Sequence, residues 1–193
     1  MTNSCLLCGV GGQGTILASR LIAFAAMEKG KKVRTAETIG MAQRGGSVVS
    51  HVRVGEKIDS PMIPVGGADV IIGFEPAEAV RCIRYLKPGG TAVVNTRAVR
   101  PVTASLSGSG YDGTEMLDYL RNCGADTVFV DGDAVCRKCG SPKVLNVALL
   151  AAAVKSGKLD MTAEELVNAI EKRVPERFRA INLTAVKEIM GGD

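Results

Sequence analysis

The chain has 193 residues, 46% hydrophobic and 23% charged, with a net charge of +4 from 24 Lys and Arg against 20 Asp and Glu. That length fits one domain, residues 1–193, able to bury about 70% of the surface its unfolded chain would expose. With no Trp, 4% aromatics and dispersed basic residues, the sequence carries no stacking platform for nucleic acid. The longest apolar run, Val144 to Val154, is too short to span a bilayer and is interrupted by Asn146. The polar start Met1-Thr2-Asn3-Ser4 leads straight into a strand and has no signal-peptide pattern, so a cytoplasmic protein without membrane or nucleic-acid partners is expected.

A short apolar run, Ser4 to Cys8, precedes the glycine-rich stretch Gly9-Val10-Gly11-Gly12-Gln13-Gly14, and a helical pattern follows from Thr15 to about Glu28. Strand, glycine turn and helix form the geometry in which backbone N–H groups and a helix N-terminus converge on an anion. The spacing also satisfies G-x-G-x-x-G. Gly9, Gly11, Gly12 and Gly14 are the candidate cofactor-binding residues: Gly9 for the tight turn, Gly11 for close approach of a ligand, Gly14 for helix–strand packing. Gly30 ends the helix, and a second strand, Lys32 to Thr38, carries Glu37, 23 residues beyond Gly14, where a nicotinamide-binding fold places its ribose-binding carboxylate.

The periodicity then breaks. Residues 39–46 place Gln43 and Arg44 before Gly45 and Gly46, side chains suited to carboxylate or phosphate on a loop that can approach another surface closely. Ser47 to Val54 alternates as a half-buried strand, with Val48, Val52 and Val54 on one face and Ser47, His51 and Arg53 on the other. His51, the one histidine, reads as a structural or solvated strand residue. Asp69 to Gly73 is almost wholly apolar, as a doubly covered parallel strand would be. A helix from Glu75-Pro76 to Lys87 is expected to stop at Pro88-Gly89-Gly90, with a strand from Thr91 to Asn95 after it. Pro101 to Gly113 reads as loop, the region around Leu117 and Leu120 as a short helix, and Thr127 to Val130 as a strand. Asp133 is expected to cap the next helix rather than bind metal. The remainder is helical, with Thr162 and Glu165 spaced for a capping box.

These elements define an α/β, Rossmann-like doubly wound, mostly parallel sheet with a helical C-terminal cover. Thr15 stands where a phosphate-binding loop needs Lys, and neither a catalytic triad nor an acid–base pair is evident, so no catalytic residue is assigned. Of the two C-x-x-C pairs, Cys5/Cys8 would face opposite sides of a strand and Cys136/Cys139 lack a knuckle turn, so no metal ligand is assigned. A sheet with a polar glycine loop and few catalytic side chains suits one subunit of a larger enzyme. A freestanding NAD(P)- or nucleotide-binding protein is the alternative that Glu37 favours.

Three long segments carry a family resemblance: GVGGQG at 9–14, GMAQRGGSVVSHVR at 40–53 and ADVIIGFEPAEAVR at 68–81. Together with YLKPGGTAVVNT at 85–96 they resemble the gamma-type subunit of 2-oxoacid:ferredoxin oxidoreductases, and the second segment most resembles the small subunit of the indolepyruvate enzymes. The resemblance implies a heteromeric complex that oxidatively decarboxylates a 2-oxo acid to an acyl-coenzyme A and reduces ferredoxin. It also implies that thiamine diphosphate, magnesium and 4Fe–4S clusters belong to a large partner subunit, with coenzyme A as co-substrate. On that reading the loop Gln43-Arg44-Gly45-Gly46 faces the partner or substrate, and the isolated chain is inactive.

Overall fold

The computed structural model describes residues 2–39, 45–100 and 110–191. Six strands form one sheet: β1 (Asn3–Val10), β2 (Lys32–Ile39), β3 (Ser47–Gly55), β4 (Ala68–Gly73), β5 (Leu86–Asn95) and β6 (Asp126–Val130), in the order β2-β3-β1-β4-β5-β6. The helices are α1 (Thr15–Glu28), α2 (Pro76–Cys82), α3 (Thr114–Asn122), α4 (Gly132–Lys138), α5 (Leu145–Lys155), α6 (Ala163–Arg173) and α7 (Glu176–Gly191). β1, β4, β5 and β6 pair in parallel, whereas β3 pairs antiparallel with both β1 and β2. The sheet is thus mixed but mostly parallel, as the alternating pattern implies.

Alternation along β1 divides the core. Cys5 and Leu7 face a layer made with α1, α5 and α6, while Leu6 and Cys8 face a smaller one made with Ala79 and Cys82 of α2 and Leu120 of α3. α5 is buried at every position from Asn146 to Val154, which is why it is apolar all round. Its outer side is covered by α7, where Ala185, Ile181 and Ile189 pack on Val144 and Ala148. The capping box of α6 forms as its spacing implies: Glu165 N–H donates to Thr162 Oγ1 and Thr162 N–H to a Glu165 carboxylate oxygen.

Several expectations need correction. The helix after Glu75 ends at Cys82, and a 3-10 turn over Ile83–Tyr85 leads into β5, which runs through Pro88-Gly89-Gly90 rather than starting after it. A bulge between Ala68 and Val70 absorbs these residues, and Gly90 lies so near the Asp69 and Ala68 carbonyls that a Cβ would sit 2.9 and 3.0 Å from them. The cap of α4 is Asp131, whose side chain accepts from Ala134 N–H at 2.9 Å; Asp133 instead pairs with Arg97 at 2.7 Å. Of the loop expected from Pro101 to Gly113, residues 101–109 lie outside the described residues, and 110–113 are neither helix nor strand.

His51 is buried, not solvated. It sits opposite Leu6, beneath the segment that follows β3, with Nδ1 accepting from Ile63 N–H at 3.2 Å and its ring edge-on to Tyr85. Burial lowers its pKa from the ordinary histidine value. The unfolded chain, with an imidazole pKa of about 6.5, therefore takes up the proton first. The His51 contribution to stability is complete above that pH and is lost as pH falls toward the lower folded value. Thermal melts between about pH 7.5 and about pH 5.5 should show a fall in Tm that His51→Gln flattens, because Gln can still accept from Ile63 but does not titrate there.

Candidate functional site

The carboxyl ends of the parallel strands are tied together by two carboxamides on one carbonyl. Gln13 folds back over its own loop: Oε1 accepts from Val10 N–H at 2.7 Å, and Nε2 donates to Phe74 O at 3.1 Å. Asn95, at the end of β5, donates from Nδ2 to the same Phe74 O at 3.1 Å and accepts at Oδ1 from Gly132 N–H at 3.2 Å. Phe74 N–H donates to Cys8 O at 2.8 Å. One residue past β4 thus fixes the turns after β1, β5 and β6 in register.

The glycines acquire their reasons here. A Cβ on Gly9 would meet Phe74 Cβ at 2.7 Å and Gln13 Oε1 at 2.8 Å. Gly14 has φ of 88°, caps α1 without a side-chain partner, and would place a Cβ 2.7 Å from the Asn146 carboxamide. Gly11 joins the glycine loop to the β2–β3 hairpin: its N–H donates to Gly46 O at 2.8 Å and its carbonyl accepts from Gly45 N–H at 3.4 Å. Gly12, with φ of +105°, has open space around it. The N–H groups of Val10 and Gly11 are therefore spent within the protein.

Gly45 and Gly46 lie at the carboxyl edge beside Gly11, while Gln43 and Arg44 fall outside the described residues. The hairpin's return strand is also anchored to α2, where Ser47 Oγ donates to Glu78 at 2.6 Å and Arg81 pairs with the same carboxylate. Next to it, buried Glu75 caps α2 by accepting from Glu78 N–H. Its second oxygen accepts from Tyr111 Oη at 2.5 Å and Val99 N–H at 3.4 Å, so one carboxylate holds both described ends of the segment between β5 and α3. Burial and then Glu75 push the Tyr111 phenol above its ordinary pKa.

Beside the glycine loop, on the α5–α7 side, lies a cleft of about 580 Å³. Gln13 and Gly14 form its floor with Asn146, Leu17 and Leu145 are apolar wall, and Lys143 and Asn182 come from the helical cover. Arg97 and Asp133 lie at it as an ion pair.

Two sequence-level candidates separate from this edge. Glu37 is exposed on β2 and pairs with Ser50, and β3 intervenes between β2 and β1. At a strand spacing of about 4.8 Å, that puts Glu37 about 10 Å from β1, one strand spacing beyond the place a ribose-binding carboxylate takes. Cys5 and Cys8 face opposite core layers, so they cannot ligate one ion. A hydrogen bond with the Cys82 thiol, then burial, hold the Cys8 thiol well above its ordinary pKa. Among the described residues no group of three His, Cys, Asp or Glu is placed to hold a metal. Gln13, Asn95, Glu75 and Asn182 were not singled out from sequence as site residues; the available signal was a polar side chain at the end of an apolar strand or on the apolar face of a helix.

The structure is thus a mixed α/β sheet with the glycine loop, Gly45 and Gly46 and a cleft gathered at its carboxyl edge. The chain belongs to the family described as pyruvate ferredoxin/flavodoxin oxidoreductase, which it matches over residues 4–191. It is 34% identical to indolepyruvate oxidoreductase subunit IorB of Thermococcus kodakarensis, covering 96% of both chains. To the pyruvate/ketoisovalerate oxidoreductases common subunit gamma of that organism it is 26% identical, over 94% of this chain and 96% of the relative. The fold matches pyruvate oxidoreductase subunit PORC of Thermotoga maritima with a TM-score of 0.71 at 21% identity, over 98% of this chain and 96% of that one. The chain is a small, gamma-type subunit of a 2-oxoacid:ferredoxin oxidoreductase.

Gln13→Met keeps the volume of the clamp but leaves Val10 N–H unpaired and removes one donor from Phe74 O. The loss expected is about 1–3 kcal/mol of unfolding free energy. Denaturant titration against Gly12→Ala, which meets no neighbour and carries only its positive-φ cost of about 1 kcal/mol, separates the clamp from general loop sensitivity.

Proposed function

We propose that the chain is the small subunit of a thiamine-dependent oxidoreductase acting on an aryl 2-oxo acid, indolepyruvate in the first instance. The complex converts the 2-oxo acid and coenzyme A to an acyl-coenzyme A and carbon dioxide, and passes the electrons to ferredoxin. Thiamine diphosphate, magnesium and 4Fe–4S clusters are carried by the large partner subunit. This chain supplies the carboxyl-edge surface: Gly9, Gly11, Gly12 and Gly14 shape the glycine turn of a candidate cofactor site, and the loop residues Gln43, Arg44, Gly45 and Gly46 face the partner or the entering co-substrate.

The observation that carries the aryl substrate is the difference between two subunits of one organism, 34% identity to the indolepyruvate subunit against 26% to the shared pyruvate/ketoisovalerate gamma subunit. A cytoplasmic setting is supported by six cysteines that are all free thiols, as a reducing compartment keeps them. In addition, no helix among the described residues is long and apolar enough to cross a membrane.

Co-expression with a large, thiamine- and iron–sulfur-bearing subunit of an indolepyruvate oxidoreductase, followed by ferredoxin reduction assays on a panel of 2-oxo acids, tests the reading. kcat/KM for indolepyruvate should exceed that for pyruvate and 2-oxoisovalerate by at least about tenfold, and this chain alone should reduce no ferredoxin; a preference for pyruvate would reassign the substrate. In the same assay Arg44→Ala should leave the Tm of the isolated chain unchanged. It should weaken complex assembly or raise the KM for coenzyme A, since truncating a desolvated Arg contact costs about 2–5 kcal/mol. Normal assembly together with normal KM values would remove Arg44 from the interface.

A further inference from the structure

Two of the six cysteines meet in the core layer on the α2 side of the sheet. Cys8 on β1 stands beside Gly73 of β4, and Gly73 lets α2 lie close, since a Cβ there would meet Ala79 Cβ at 2.6 Å. Cys82 follows Ala79 by three residues, so it shares that helix face and packs with Ala79 and Cys8 in one cluster. There the two thiols are hydrogen-bonded to each other. Cys8 is wholly buried, whereas Cys82, the last residue of α2, keeps 5% of its surface open. The pair is unequal in charge as well as in access. Donation from the Cys8 thiol holds Cys82 below the ordinary cysteine pKa, against its burial and Glu78, and with Arg84 and Arg81 acting in the same direction. The shared bond and burial hold Cys8 above that value, and burial raises Cys5, Cys136 and Cys139. The thiolate is the reactive form of cysteine, and oxidant-sensing sites set a lowered, accessible thiol beside a resolving one.

We propose that Cys82 and Cys8 form a reversible redox site for hydroperoxides, in which Cys82 reacts and Cys8 resolves. The Cys82 sulfur attacks one peroxide oxygen and the O–O bond breaks. Cys82 becomes a sulfenic acid, and the other oxygen leaves as an alcohol, or as water from hydrogen peroxide, with a proton from solvent. The Cys8 sulfur then attacks the sulfenic sulfur, the S–O bond breaks, and the departing hydroxide takes the Cys8 thiol proton and leaves as water. In sum, two thiols and one hydroperoxide give one disulfide, one water and one alcohol, and the two electrons lost by sulfur reduce the O–O bond. A small-molecule dithiol reverses the bond by exchange, in keeping with the transient disulfides of a reducing compartment. The cross-link joins the residue before Gly9 to α2. The N-terminal turn of α2 holds Ser47 through Glu78 and Tyr111 through Glu75, so oxidation is registered at the elements that form the carboxyl edge.

The full chain, reduced and held under argon, is titrated with hydrogen peroxide and followed by intact mass and peptide mapping. It should lose two of its six free thiols together, with the Cys8 and Cys82 peptides recovered as one linked species. Dithiothreitol should restore both thiols, and Cys123, Cys136 and Cys139 should remain reduced in the same samples. Cys8→Ala should stop at the first step, leaving a Cys82 sulfenic acid that dimedone traps. Cys82→Ala should leave Cys8 unmodified, because the buried thiol has no route to peroxide of its own. If either variant does not fold, the peptide map of the unaltered chain decides alone. No reaction at Cys82, earlier oxidation of another cysteine, or a Cys82 sulfenic acid that never links to Cys8 overturns the proposal. None of these results depends on turnover by the assembled complex, so this site and the proposed substrate can fail separately.

Discussion

Everything at the carboxyl edge depends on the Phe74 carbonyl. A carbonyl oxygen has two lone pairs, and here both are taken by side-chain amides, one from the turn after β1 and one from the end of β5. Each amide uses its other end on a backbone N–H, of Val10 in one case and of Gly132 in the other. Four parallel strands whose C-termini could fray independently are thereby held as one rim. The arrangement also dictates composition nearby. Gly9 must lack a Cβ because Gln13 lies over it, and Gly132 because a Cβ there would stand 2.4 Å from Leu145 and 2.6 Å from Asn95 Oδ1. A neutral carboxamide suits this role better than a charged group, since it donates and accepts without the desolvation cost of burying a charge.

The same rim accounts for a fingerprint that fits a dinucleotide fold in spacing but not in surroundings. In a sheet where the second strand lies beside the first, a carboxylate at its end reaches a ligand on the glycine turn. Here β2 returns as the antiparallel β3, which takes the place next to β1. The inserted strand displaces Glu37, and its leading residues Gly45 and Gly46 occupy the backbone of Gly11. The glycine loop becomes the seam between a hairpin on one side and a cleft on the other. That geometry departs from the adjacent-strand arrangement of a nicotinamide-binding fold.

Much of the fold was legible because its signals are local. Strand alternation in Ser47 to Val54, the αL glycine at Gly30, and the Thr162–Glu165 box each follow from a few neighbouring residues. What was not legible depended on partners distant in sequence. Pro88-Gly89-Gly90 reads as a stop, yet it is a bulge whose close approach is to β4, some twenty residues earlier. His51 reads as a surface residue because alternation assigns a face but not what covers it; Ile63 and Tyr85 come from two other segments. At the site the glycines were visible and the carboxamides were not. A lone Gln or Asn has no pattern, and its role is set by where a carbonyl from another strand happens to lie.

The helical cover shows what such unpatterned residues signify once the packing is known. α5 is apolar on every side because it lies between the sheet and α7, so a polar side chain within it must answer to something other than solvent. Asn146 answers to Gly14: it stands against the N-terminus of α1, at the one place where the glycine loop and the cover meet. Asn182 faces the same region from α7, but its oxygen finds nothing among the described residues. A Leu at either position would bury as well and cost no desolvation. Asn146 Oδ1 accepts from Val147 N–H at 2.9 Å, whereas Asn182 Oδ1 has no donor among the described residues. Ser50 Oγ, Arg53 Nε and Asn182 Oδ1 are the buried side-chain atoms left without a partner among the described residues, and of the three residues Asn182 alone lines the cleft.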